Sequence, residues 1–194
     1  MSAPLPTPTP PPPATRFDPA PPRSIYRPLS RRHRLAALVW PIAWLALARW
    51  TPSRLNPWRL FLLRCFGADA APSAFVHAAA CIRFPWNLTL HPHAHVCPSV
   101  ILDCMDRIQI GSGAHLDRHA HLCAATLDYQ DPAMPIRTAP ILIGEGARIG
   151  VDAFIGPGVT VGPGASIEAR TSLFKDLPPQ AVATGDPLQI LSGD

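Results

Sequence analysis

Eight histidines and five cysteines are the most chemically versatile side chains in this 194-residue chain. Six of the histidines gather in two clusters, His91-Pro92-His93-Ala94-His95 and His115…His119…His121. Neutral imidazoles at such density can assemble a zinc site, which would suit a zinc-dependent hydro-lyase. The cysteines (Cys65, Cys81, Cys97, Cys104 and Cys123) are odd in number and form no close CxxC pair. They resemble neither a disulfide framework nor a zinc ribbon. Reduced, mostly buried thiols of a cytosolic protein are the expectation.

What positions these residues is a repeat. From Ile143 an aliphatic residue returns at every sixth position: Ile149, Ile155, Val161, Ile167, Leu173. Four residues after the first five come Ala147, Ala153, Val159, Ala165 and Thr171, and Gly144, Gly150, Gly156 and Gly162 directly follow the aliphatic residue. A period of six matches neither a helix nor a plain alternation, but it suits a short strand and a tight corner with glycine supplying unusual backbone angles. The same phase runs back through Ile110, Leu116 and Leu122, through Leu90, Val96 and Leu102, and to Val76 and Ile82. It breaks only after Ile82, Leu102 and Leu122. Those breaks start twenty residues apart, so a coil of three strands per turn would collect them along one edge. The prediction is an all-β chain, a parallel β-helix of between four and five turns. The third break projects as a loop over 128–140, where a substrate site is expected. The segment 176–194 leaves the period through Pro178-Pro179 and is expected to cover the last turn.

Composition divides the chain before the repeat begins. Of 26 prolines, 11 lie in residues 1–28, and residues 1–24 read as a flexible tail. Residues 1–66 carry ten Arg against Asp18 alone, a net charge of +9. Residues 67–194 carry seven basic and twelve acidic groups, a net of −5, which together give the overall +4. No nucleic-acid-binding stripe or motif accompanies the basic excess, so nucleic acid is not an expected partner. Residues 25–66 read as a basic amphipathic helical segment. The apolar run Leu35–Ala48 is too short to span a bilayer and is interrupted by Pro41, which is expected to kink a helix. With Trp40, Trp44, Trp50 and Trp58 among its arginines, 31–64 suits either a cap on the first coil or a helix on an anionic membrane surface.

Ile143–Gly164 followed by Ser172-Leu-Phe-Lys-Asp-Leu-Pro-Pro resembles the hexapeptide-repeat acyltransferases. Asn56-Pro-Trp-Arg-Leu-Phe-Leu-Leu-Arg-Cys-Phe-Gly and Phe84-Pro-Trp-Asn-Leu-Thr-Leu narrow the resemblance to the colanic acid biosynthesis acetyltransferases, close to the maltose, galactoside and nodulation O-acetyltransferases. The resemblance covers about residues 54–190. It implies a left-handed β-helix, a homotrimer, and acetyl-CoA held between neighbouring prisms. It also implies acetyl transfer to a hydroxyl of a sugar or lipid-linked glycan in polysaccharide biosynthesis, in the cytoplasm or at the inner face of the cell membrane.

The family's general base is a histidine in a Thr/Ser-His-Asp-Tyr context ahead of Asp-Pro. Here the stretch is Thr126-Leu127-Asp128-Tyr129-Gln130-Asp131-Pro132, with Leu127 at the base position. His121 and Asp128 are the replacement candidates, and a catalytically degenerate β-helix that binds CoA or a partner protein is the alternative. By similarity, CoA contacts are implied for Val151, Ala169, Phe174 and Lys175, the last being the one lysine of the chain. The Arg that often follows Gly-Asn-Pro-Ala in relatives is absent after Gly185-Asp186-Pro187. Related β-helix carbonic anhydrases bind zinc through a His pair five residues apart, a spacing absent here, so no metal is expected. His95 and His115 are expected to stack on adjacent turns.

Overall fold

The computed structural model describes residues 24–25, 31–128, 131–185 and 189–191; the Pro-rich tail, apart from Ser24, lies outside them. The body is a three-sided parallel β-helix. Its first face stacks Asp69–Ala70, Leu88–Leu90, Ile108–Ile110, Ile141–Ile143 and Thr160–Val161. The second stacks Phe75–Val76, His95–Val96, His115–Leu116, Arg148–Ile149, Ser166–Ile167 and Val182–Thr184. The third stacks Cys81–Arg83, Ile101–Asp103, His121–Cys123, Phe154–Ile155 and Ser172–Leu173. Ile82 pairs in register with Leu102, and Leu102 with Leu122, so the three breaks do fall along one edge. His95 likewise pairs with His115.

The coil is longer than the expected four to five turns. Asp69–Ala70 opens a coil ahead of Val76, and past Pro178-Pro179 the chain still follows the spiral. Leu177 bridges to Val161 and Ser166 pairs with Val182, giving five turns and most of a sixth. Among the described residues of 176–194, Gln189–Leu191 turns back, antiparallel to Val182–Thr184.

The aliphatic positions point inward, and Leu90, Leu102, Ile110, Leu116, Leu122, Ile143 and Ile155 are fully buried. Most of the regular corners are four-residue turns closed by an i to i+3 hydrogen bond, as from Ala94 N–H to His91 C=O (3.2 Å) and Ala147 N–H to Gly144 C=O (3.3 Å). The third turn residue is left-handed: His93, His119, Asp152 and Arg170 have φ between 57° and 60°. Proline precedes it at Pro92, Pro157, Pro163 and Pro179. Proline second and positive φ third are the requirements of a type II turn. The regularly placed glycines therefore have another purpose than the expected one. Gly144, Gly150 and Gly162 open their turns at negative φ, where a Cβ would strike the backbone of the next coil; at Gly150 it would lie 2.7 Å from Ala169 N.

Two helices close the N-terminal end, α1 (Arg31–Leu47) and α2 (Asn56–Cys65). They cap the first coil because their side chains take the hydrogen-bonding place of a missing strand. Arg64 donates to Ala70 C=O (2.8 and 2.6 Å), Arg59 Nε to Val76 C=O (2.8 Å), Trp40 Nε1 to Ile82 C=O (2.7 Å) and Trp44 Nε1 to Ala80 C=O (3.1 Å). All three edges of the first coil are thereby covered, which a parallel sheet edge otherwise lacks. Arg59 is fully buried and meets no carboxylate among the described residues; Thr51 Oγ1 (2.9 Å) and Pro52 C=O (3.0 Å) also accept from it. Burial lowers its pKa. α1 runs through Pro41 as one continuous helix, anchored on either side by the two tryptophans.

Candidate active site

Loop 128–140 is the tip of a hairpin that starts earlier than expected. Ala125–Leu127 pairs antiparallel with Ile136–Thr138, and Ser24–Ile25 adds a third strand. The hairpin leaves the coil at the edge between the third and first faces. Asp128 N–H donates to Pro135 C=O (3.0 Å), and the Asp128 carboxylate takes a 2.6 Å ion pair from Arg137 Nε. Tyr129 and Gln130 lie outside the described residues. Leu127 is 41% exposed and faces Ile136 across the hairpin; with exposed Met134, these side chains give the tip an apolar part beside exposed Asp131.

The third face carries the titratable groups nearest in sequence to that hairpin. Register places Ile101, His121, Phe154 and Ser172 in one outward column, and Arg83, Asp103 and Cys123 in the next. Arg83 Nη1 lies 3.6 Å from Asp103 Oδ2, while Asp103 Oδ1 is buried with no hydrogen-bond partner among the described residues. His121 packs edge-on against Phe154, centroids 5.2 Å apart. Burial lowers the His121 pKa, with Asp103 pulling it up and Arg83 pushing it down, so the imidazole is neutral and able to accept a proton near pH 7. Burial raises the Cys123 pKa; its thiol donates to Ala125 C=O at 3.2 Å. The expectation of mostly buried thiols is corrected: Cys97 and Cys104 are buried, whereas Cys65 and Cys81 are exposed.

The four residues assigned to CoA by similarity divide between two edges of the third face. Val151 and Ala169 occupy stacked corners where the second face turns into the third, joined by Arg170 N–H to Val151 C=O (2.8 Å). Both are exposed. Phe174 and Lys175 lie at the opposite edge, past Ser172–Leu173. Phe174 is 59% exposed with its ring 5.5 Å from that of Phe154, over Gly156, where a Cβ would collide with it. Lys175 is exposed and makes no ion pair among the described residues. Phe174 is thus linked through Phe154 to His121, whereas Leu127 and Asp128 lie on the hairpin.

Sequence reasoning missed the Arg83–Asp103 pair and the Arg137 clamp on Asp128. The first was within reach, because Arg83, Asp103 and Cys123 each follow a phased aliphatic residue at twenty-residue intervals. The second depends on the hairpin register, which no local pattern announces.

No protein-family model matches the chain. It is 35% identical over 153 residues to the "Putative colanic acid biosynthesis acetyltransferase WcaF" of Escherichia coli, covering 79% of this chain and 84% of that protein; the protein of the same name from Shigella flexneri matches equally. Among solved structures, the maltose O-acetyltransferase of Clostridium difficile 630 superposes with a TM-score of 0.72 at 21% identity, over 84% of this chain and 88% of the other. The hexapeptide-repeat acetyltransferase VCA0836 of Vibrio cholerae, complexed with acetyl coenzyme A, gives 0.72 at 21% identity over 84% and 90%. A galactoside acetyltransferase in complex with coenzyme A gives 0.73 at 19% over 86% and 84%. On the strength of the sequence identity, with the same three-sided coil in these structures, the chain belongs to the hexapeptide-repeat acetyltransferase family alongside the colanic acid biosynthesis acetyltransferases.

Proposed function

We propose that this chain is an O-acetyltransferase that moves the acetyl group of acetyl-CoA to a hydroxyl of a sugar in a glycan precursor, with His121 as its general base. The neutral imidazole of His121, in the aromatic column that leads through Phe154 to Phe174, carries this reading. The acceptor hydroxyl gives its proton to His121 as its oxygen attacks the thioester carbonyl; CoA then leaves as the thiol once it is reprotonated. Val151 and Ala169 at one edge of the third face, and Phe174 and Lys175 at the other, hold the donor. Lys175 is free to meet a phosphate. Asp128 is a poorer base because Arg137 already claims its carboxylate.

The test is thioester consumption with a panel of sugar acceptors. Wild-type turnover that falls by about 10²–10⁴-fold in His121→Gln supports the assignment. A wild type with no turnover that gains activity on Leu127→His establishes the degenerate β-helix instead. Turnover indifferent to His121 removes it from the mechanism.

Two associations belong to the same reading. The apolar part of the hairpin tip and the open third face favour a homotrimer in which a sister chain completes the cleft. Light scattering should give three times the 20.9 kDa chain mass. The outward side of α1 exposes Leu35, Leu38, Val39, Ile42 and Leu45, with Trp50, Trp58 and Phe61 beside it. Residues 31–68 hold seven Arg and no acidic residue. That combination favours peripheral contact with an anionic bilayer, which would bring the enzyme to a lipid-linked acceptor. Among the described residues no helix is long and apolar enough to cross a membrane. Cosedimentation with phosphatidylglycerol vesicles, lost in Leu38→Glu/Ile42→Glu at unchanged oligomeric mass, is the expected result. A changed mass would make the patch a subunit contact.

A further inference from the structure

We propose that His95, Cys97 and His115 form a binding site for a zinc-class divalent cation, separate from the acyl-transfer face. The absence of a His pair five residues apart predicted no metal, but that rule concerns another geometry and takes no account of the cysteine. The twenty-residue stride sets His95 and His115 one above the other on the second face, rings 4.8 Å apart and near-parallel, and Cys97 follows Val96 on the same coil. Cys97 Sγ lies 3.6 Å from His95 Nδ1 and 3.5 Å from His115 Nε2, and one ligand atom from each residue falls within 4.8 Å of the others.

Those separations can be compared with a coordination sphere. For Zn–S near 2.3 Å and Zn–N near 2.0–2.1 Å at the tetrahedral angle, sulfur and nitrogen stand about 3.6 Å apart. Both sulfur–nitrogen distances already have that value. The stacked rings must still tilt toward the sulfur, since each lone pair lies in its ring plane. Rotation about the side-chain bonds of one imidazole is the adjustment the site requires to bring both nitrogens to bear.

The surroundings suit a cation. Cys97 is buried and the imidazoles half-buried. Two imidazoles and a thiolate leave one position of a tetrahedron for water or a further ligand. The cation would fasten the second and third coils together.

The experiment is metal uptake by the purified full chain, stripped with chelator and then equilibrated with zinc alone. The expected result is about one zinc per chain by elemental analysis, with affinity lowered at least tenfold in both Cys97→Ser and His115→Gln. A cobalt-loaded sample should show a thiolate-to-metal charge-transfer band that Cys97→Ser lacks. His93→Ala, at an exposed corner, should bind as the wild type does. Circular dichroism shows whether each variant keeps the fold; should Cys97→Ser not fold, the cobalt band in the wild type and the His115→Gln uptake decide the matter. No uptake, uptake unchanged by either ligand substitution, or a cobalt spectrum without sulfur character overturns the site.

Discussion

The hairpin divides the prism into three coils below it and the remainder above, and the two parts use one position of the repeat differently. The residue that follows the buried aliphatic is His77, Cys97 and Asp117 on the second face of the lower coils and Arg83, Asp103 and Cys123 on the third. In the first coil above the hairpin the same position is Gly144, Gly150 and Gly156 on the three faces. A Cβ at Gly144 or Gly150 would enter the backbone of the next turn, as would one at Gly111 on the first face below the hairpin, while the second and third faces of the lower coils accommodate full side chains. On the second and third faces one repeat thus serves as a close stack just above the hairpin and as a rack of titratable groups below it. Its chemistry is placed where the corner leaves room for it.

The sharpest way to break this contrast is to add one methyl group. Gly150→Ala should lower stability by about 3 kcal/mol in denaturant unfolding, since the obstruction is backbone at 2.7 Å and cannot swing away. Asp117→Ala, one coil below in the same column, should cost only about 1 kcal/mol for the lost acceptor of Arg118 N–H. Equal losses would mean that the two parts stack alike.

A smaller effect is expected at the capped end. Trp40→Phe keeps the ring but strands the Ile82 carbonyl, and should cost about 1–2 kcal/mol. Proteolysis should then attack the first coil before the last.

The smallest effect is in the pH dependence. Burial is the first cause lowering the pKa of His77, His95 and His121, all in the lower coils. In metal-free protein the unfolded chain therefore takes up these protons first, below its ordinary value of about 6.5. Stability is full above that pH and falls as pH drops through the window down to the native values. Replacing the three with Gln should flatten the thermal midpoint between pH 7 and 5. A slope that survives would place the sensitivity in other groups.

Much of the architecture could be read without coordinates, because a coil of fixed stride turns sequence spacing directly into position. The six-residue phase sends Ile143, Ile149 and Ile155 into the core, and the twenty-residue intervals put Ile82, Leu102 and Leu122 on one edge and His95 above His115. The likeness to acetyltransferases was equally visible in Ile143–Gly164 and in the Thr126–Pro132 stretch. Other features needed the third dimension, since they arise where one segment meets another of unrelated sequence. The glycines proved to answer the approach of the next coil and not their own backbone angles. The hairpin register brought Arg137 to Asp128. The arginines and tryptophans of the N-terminal helices became substitutes for an absent strand, and Cys97 came within ligand distance of two histidines. Spacing along one chain sets a register, but contact between chain segments depends on how closely backbones approach, and only the packed structure determines that distance.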